Sequence, residues 1–123
     1  MKLGPLWVKI QIACGDALAI GPGKADLLDA IVAHGSISAA GRALGMSYRR
    51  AWLLVDEMNR CFDPVLVETI RGGGTERGAR VTPTGLAVLD AYREMEREVA
   101  AIAQAAGYVR LREHLRTEPR ASD

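Results

Sequence analysis

The chain is short of the residues that build metal and redox centres. It has two cysteines, Cys14 and Cys61, far apart and in no CxxC or Cys/His cluster, which argues against a zinc site. Free buried thiols in a reducing compartment are the expectation. Its two histidines, His34 and His114, have no carboxylate or cysteine at ligand spacing, and His34 reads as a residue at a helix C-terminus, where the dipole favours it. No Ser/His/Asp set and no paired carboxylates can be assembled, so no catalytic residue, metal or cofactor is expected. No run approaches the ~20 apolar residues of a membrane span, and Lys2, Gly4, Pro5 and Lys9 interrupt any signal peptide. A cytoplasmic protein without membrane contact is the expectation. Repeats and low-complexity blocks are also missing.

What is present fits one globular domain: 123 residues, 49% hydrophobic and 25% charged. A net charge of +1 gives no global attraction to nucleic acid, so any charged site must be local. Residues 36–81 are the basic part, with seven Arg against five acids, whereas 82–106 hold two Arg against four.

From Leu6 to Ile20, Trp7, Lys9 and Gln11 alternate with Val8, Ile10 and Ile12 up to a Cys14-Gly15-Asp16 break, which predicts a β-hairpin. Helical spacing of Leu27, Leu28, Ile31 and Val32 predicts a helix over about 24–34, stopped by Gly35. Ser38 can cap a short helix that Gly45 ends, and Ser47 can cap the next. The core stripe of that next helix is Ala51, Val55, Met58 and Leu54, leaving Arg49, Leu53, Asp56 and Arg60 opposite. Trp52 lies off the stripe and is expected to pack on the preceding helix or the following hairpin rather than on DNA. Val65–Ile70 and Ala79–Thr82 read as strands flanking a glycine-rich loop. A helix from Thr82 to about Ala106 follows, stopped by Gly107, then a weakly helical tail ended by Pro119.

The fold expected is mainly α with small β: a winged helix-turn-helix with an N-terminal β-hairpin and a long C-terminal dimerisation helix. Residues 1–107 form its DNA-binding and dimerisation domain and 108–123 a tail. A recognition helix enters the major groove N-terminus first, which points to Ser47, Tyr48, Arg49 and Arg50, with Leu53 able to meet a thymine methyl. Ser38 joins them from the preceding helix. Arg71, Thr75, Arg77 and Arg80 would contact backbone from the wing. That loop lacks the GxxxxGK[ST] pattern, so a phosphate-binding enzyme is disfavoured. Val88, Tyr92, Met95, Val99 and Ile102 form a stripe expected to pair with a second copy. The alternative reading is a winged-helix protein-interaction module that no longer reads DNA.

The stretch from Gly35 through Ser47-Tyr48-Arg49-Arg50-Ala51-Trp52, followed by Asp56-Glu57-Met58-Asn59, resembles the N-terminal DNA-binding domain of the molybdate-responsive ModE regulators, whose frame is partly shared by LysR-type proteins. The likeness continues through Leu66-Val67-Glu68, the glycine-rich loop and Val81-Thr82 with Gly85, and covers about residues 6–105. It implies a homodimeric regulator of molybdate transport or molybdenum-enzyme genes that binds double-stranded DNA. The family's molybdate-binding C-terminal domains do not fit within this length, so a separate molybdate-sensing protein is the expected partner.

Overall fold

The computed structural model describes residues 1–71 and 77–122, with Arg77 described by its backbone alone. Two hairpins open the chain. β1 (Lys2–Leu3) pairs with β2 (Leu6–Trp7), and β3 (Ile12–Cys14) with β4 (Ala17–Ile20), both antiparallel and in separate sheets. Then come α1 (Pro22–His34), α2 (Ile37–Ala43) and α3 (Tyr48–Cys61), and a third hairpin made by β5 (Val67–Arg71) and β6 (Arg77–Val81). α4 (Pro83–Val99) runs into a short 3₁₀ helix, Ala100–Gln104, and α5 (Ala106–Glu113) ends the regular structure.

Local chemistry sets the helix boundaries. Gly35 ends α1 in the left-handed region (φ 74°), where a side chain would be strained, and its N–H reaches the Ile31 carbonyl at 2.8 Å. Ser36, Ser47 and Thr82 each accept a hydrogen bond from the backbone N–H three residues on, at 3.0, 3.1 and 3.0 Å, satisfying donors that a helix start leaves free. Ser38 is therefore not the cap of α2. Its place is inside the first turn, while Ser36 holds the extended backbone that a cap requires.

The core forms where α1, α2, α3 and the β5–β6 hairpin meet. Leu27, Leu28, Ile31, Met58 and Leu66 are fully enclosed, with Ile37, Ala51, Val55, Val67, Ala79 and Val81 around them. α2 and α3 approach so closely that a Cβ on Gly41 would stand 3.0 Å from the Ala51 methyl. The hairpin is fixed at both ends. The Ala79 N–H bonds to Gly35 at 2.8 Å, and the Thr82 N–H and hydroxyl bond to Leu66 and Val65 at 2.9 and 2.7 Å. α4 lies on α1 through Arg93, which donates to Asp26 (2.9 Å), Asp29 (2.6 Å) and its neighbour Glu96 (2.7 Å). Burial opposes the Arg93 charge, but these three acceptors outweigh it and hold the guanidinium above its ordinary pKa.

This architecture corrects the expected fold, and a winged helix-turn-helix with one N-terminal hairpin and a long dimerisation helix is not what the elements add up to. Among the described residues they are five α-helices and three separate two-stranded sheets. Two N-terminal hairpins stand where one was expected. The long helix ends at Val99, and Gly107 lies inside α5 instead of stopping α4. The stripe on α4 is also partly spent within the chain: Tyr92 is 2% exposed and donates to the Ile10 carbonyl at 2.9 Å. Burial, then the nearby Glu96 charge, raises the Tyr92 phenol. The cysteines differ from expectation too. Cys14, on the exposed strand β3, is exposed, and Cys61 is only half-buried. Burial and a hydrogen bond with Cys14 push the Cys61 thiol up.

Candidate functional site

Helical periodicity decides what α3 shows to solvent. Ala51, Val55 and Met58 recur at core spacing and are buried, Trp52 and Leu54 flank them half-buried, and Arg49, Leu53 and Asp56 face outward. Ser47, Tyr48, Arg49 and Arg50 occupy the start of the helix and are all exposed, and no acid falls in its first turn. The partial positive charge of the free N–H groups there is thus augmented by two guanidinium groups. Leu53, 56% exposed, lies one turn on and shares a shallow surface with Tyr48, Arg49, Trp52 and Asp56. Tyr48 meets Trp52 edge to face, with ring centroids 6.1 Å apart.

Trp52 packs as its off-stripe position suggested. It lies against the core and, with Ser38 of α2 and Thr69 and Arg71 of β5, lines a cleft of about 270 Å³ between the two helices and the hairpin. Its indole Nε1 is buried without a hydrogen-bond partner. Ser38 accepts a bond from Arg42 at 2.9 Å.

The structure thus brings Ser38, Tyr48 and Arg71 together. It sets Arg50 elsewhere, in a cleft of about 520 Å³ beside Lys9 and Arg60 and facing the start of α1. Arg80 is already engaged: both its Nε and a terminal nitrogen reach the same Glu68 oxygen, at 3.1 and 2.9 Å. Thr75 and the Arg77 side chain lie outside the described residues. Of the other expected group, Tyr92 is buried, Val88 and Val99 are half-buried, and Met95 and Ile102 are exposed.

Two features escaped the sequence reading. Lys24, 3% exposed, is held by Glu57 of α3 and the Leu18 carbonyl, which clamps α1, α3 and β4 together. The hydrogen bond from Lys24, and then its charge, keep the Glu57 carboxyl below the usual carboxylate range. Asn59 is the second. Its side-chain oxygen accepts from the N–H groups of Leu66 (2.9 Å) and Val67 (3.1 Å), and its amide donates to the Val67 carbonyl (2.9 Å). It ties the far end of α3 to the hairpin. Among the described residues no cluster of three or more His, Cys, Asp or Glu is placed to hold a metal, and no helix is long and apolar enough to cross a membrane.

No family model matches the chain. It is 36% identical over 96 residues to the molybdenum-pterin-binding protein MopA of Rhodobacter capsulatus, covering 78% of this chain and 36% of MopA. It is 39% identical over 71 residues to the molybdenum transport protein ModE of Herbaspirillum seropedicae (58% and 26%), and 37% identical over 71 residues to the DNA-binding transcriptional dual regulator ModE of Escherichia coli K12 (58% and 27%). Among solved structures, ArgP of Mycobacterium tuberculosis superposes with a TM-score of 0.48 at 24% identity, over 68% of this chain and 30% of that one.

These findings correct the assignment to the N-terminal domain of ModE regulators stripped of molybdate binding. Relatives named for molybdenum-pterin binding stand beside those named ModE, and the chain spans about a third or less of each. The relatives are named as molybdenum-binding, molybdenum-transport or regulatory proteins, not as enzymes. Over part of its length the chain is similar to proteins named for molybdenum-pterin binding, for molybdenum transport and for transcriptional regulation.

Proposed function

We propose that the chain binds double-stranded DNA through the start of α3 and the β5–β6 hairpin, and that it serves in regulating molybdate transport or molybdenum-enzyme genes. One observation carries the reading: the first turn of α3 presents two hydroxyls and two guanidinium groups to solvent, with no carboxylate in that turn. Arg can fork onto a guanine edge or neutralise a phosphate, and hydroxyls suit phosphate oxygens. The relative of Escherichia coli named as a DNA-binding regulator supports the same direction. Arg71 supplies backbone contact from the hairpin, and Arg80 does so once it exchanges Glu68 for phosphate. A second copy, joined through the face with Met95, Val99 and Ile102, would present two α3 starts to a palindromic site.

Fluorescence anisotropy with duplexes from upstream of molybdate transport genes tests this. Binding should weaken steeply as salt rises, because each neutralised phosphate releases counterions. Arg49→Ala or Arg50→Ala should cost about 1–3 kcal/mol where the side chain reads a base. The exposed Leu53 beside Tyr48 favours the second reading, a protein-interaction surface. An affinity for duplex that barely changes with salt and with either Arg substitution would select that reading and overturn the first.

A further inference from the structure

We infer that Cys14 and Cys61 form a reversible intramolecular disulfide, which locks the β3–β4 hairpin onto the end of α3 and makes this junction a redox-sensitive clamp. The contacts around the two residues already hold the hairpin over that face of the helix. Lys24 joins the Leu18 carbonyl to the Glu57 carboxylate, so β4 is fastened to α3 at Glu57. Cys61 follows Glu57 by four positions, one turn along the same face. On the other side of the junction Cys14 pairs with Ala17, the neighbour of Leu18 in β4. The strand register and the Lys24 clamp therefore bring the two thiols to one place, where a side-chain hydrogen bond joins Cys61 to Cys14. Sequence gives no hint of this meeting, since the two residues belong to no short motif.

An exposed thiol beside a half-buried one suits a two-step oxidation, in which the first meets the reagent and the second closes the bond. The oxidant is a small dissolved disulfide such as glutathione disulfide. The Cys14 thiolate attacks one of its sulfurs, forming a mixed disulfide and releasing one glutathione thiolate. The Cys61 thiolate then attacks the Cys14 sulfur and releases the second. The protein gives up two protons and two electrons, which leave as two molecules of reduced glutathione, and a dithiol reductant reverses the exchange. The closed loop contains α1, α2 and α3. Cross-linking so long a loop chiefly restricts the unfolded chain, so the oxidised form is the more stable. The inference is independent of the DNA reading.

The reduced full chain is incubated with glutathione disulfide and followed by intact mass, thiol titration and thermal melting. The expected product is monomeric, has no free thiol and weighs about 2 Da less than the reduced chain, as loss of two hydrogens requires. Its melting midpoint should rise by at least about 5 °C, and dithiothreitol should return it to the starting value. A chain that keeps both thiols, retains glutathione on Cys14 or joins a second copy through Cys14 overturns the inference. A bridge that leaves the midpoint unchanged overturns the clamp. In Cys61→Ser the glutathione adduct on Cys14 should persist, because no second thiol displaces it, and its spontaneous loss would count against the pairing. Should Cys61→Ser prove unfolded by circular dichroism, the mass of the oxidised wild type decides alone.

Discussion

Replacing Asn59 by alanine tests how the hairpin is held against α3. Val67 pairs with Val81, but the flanking bond from Thr82 to Leu66 places Val67 at a non-hydrogen-bonded position of the ladder, so its N–H and C=O point away from β6. Asn59 receives both, serving as a single residue of a missing neighbouring strand, and also takes the Leu66 N–H. Leu66 and Val67 are 0% and 4% exposed, so water has little access to replace the amide. Three bonds at about 1 kcal/mol each give a loss of about 3 kcal/mol, a large part of the ~5–15 kcal/mol that holds a domain of this kind. Urea unfolding followed by circular dichroism reads the total. Amide exchange at Val67 reads the site and should accelerate ahead of amides in α1. A loss below about 1 kcal/mol, with Val67 protection unchanged, would refute the account and show that the β5 edge is satisfied without α3.

Gly85→Ala would drive its methyl to 2.6 Å from Val81 Cγ1 and closer still to the Leu66 carbonyl oxygen, both packed against the first turn of α4. A loss of at least about 2 kcal/mol is expected in chemical denaturation, since neither the backbone nor a buried valine can yield cheaply; wild-type stability would contradict that packing. Glu57→Gln should alter the pH dependence. The carboxyl is lowered in the folded state, so its contribution is present above the ordinary carboxylate value of about 4.3 and disappears as pH falls through the lowered value. Thermal melts from pH 7 to 3 should therefore lose less stability on acidification in the variant than in wild type, and parallel curves would discount the Lys24 contact.

The outward face of α3 was legible because one helical period sorts Ala51, Val55 and Met58 from Arg49, Leu53 and Asp56 without help from the rest of the chain. The start of α1 was misplaced by two residues, and its stop at Gly35 was legible for the same local reason. Features set by distant partners were not. Lys24 reads as a solvated helix residue until Glu57, 33 positions away, is folded against it, and Asn59 shows no signal of its two strand partners. The cap of α2 was assigned to Ser38 because two serines compete there, and only the backbone conformation at Ser36 decides between them. The residues of the cleft share no spacing at all: Ser38, Trp52 and Arg71 meet because α2, α3 and β5 converge.

The bonds that fasten α4 to the front of the molecule have a kinetic meaning. Tyr92 reaches Ile10 across 82 positions, and Arg93 reaches Asp26 and Asp29 across 67 and 64, whereas α1, α2 and α3 pack on one another within about forty residues. Closing so wide a loop is entropically slow to repay, so the three-helix centre has the shorter route to its contacts and α4 arrives on a surface already formed. Interactions made that late act mainly on the rate of unfolding. The Tyr92 and Arg93 contacts are thus expected to bear mainly on how long the folded chain persists, and the centre on how quickly it is reached.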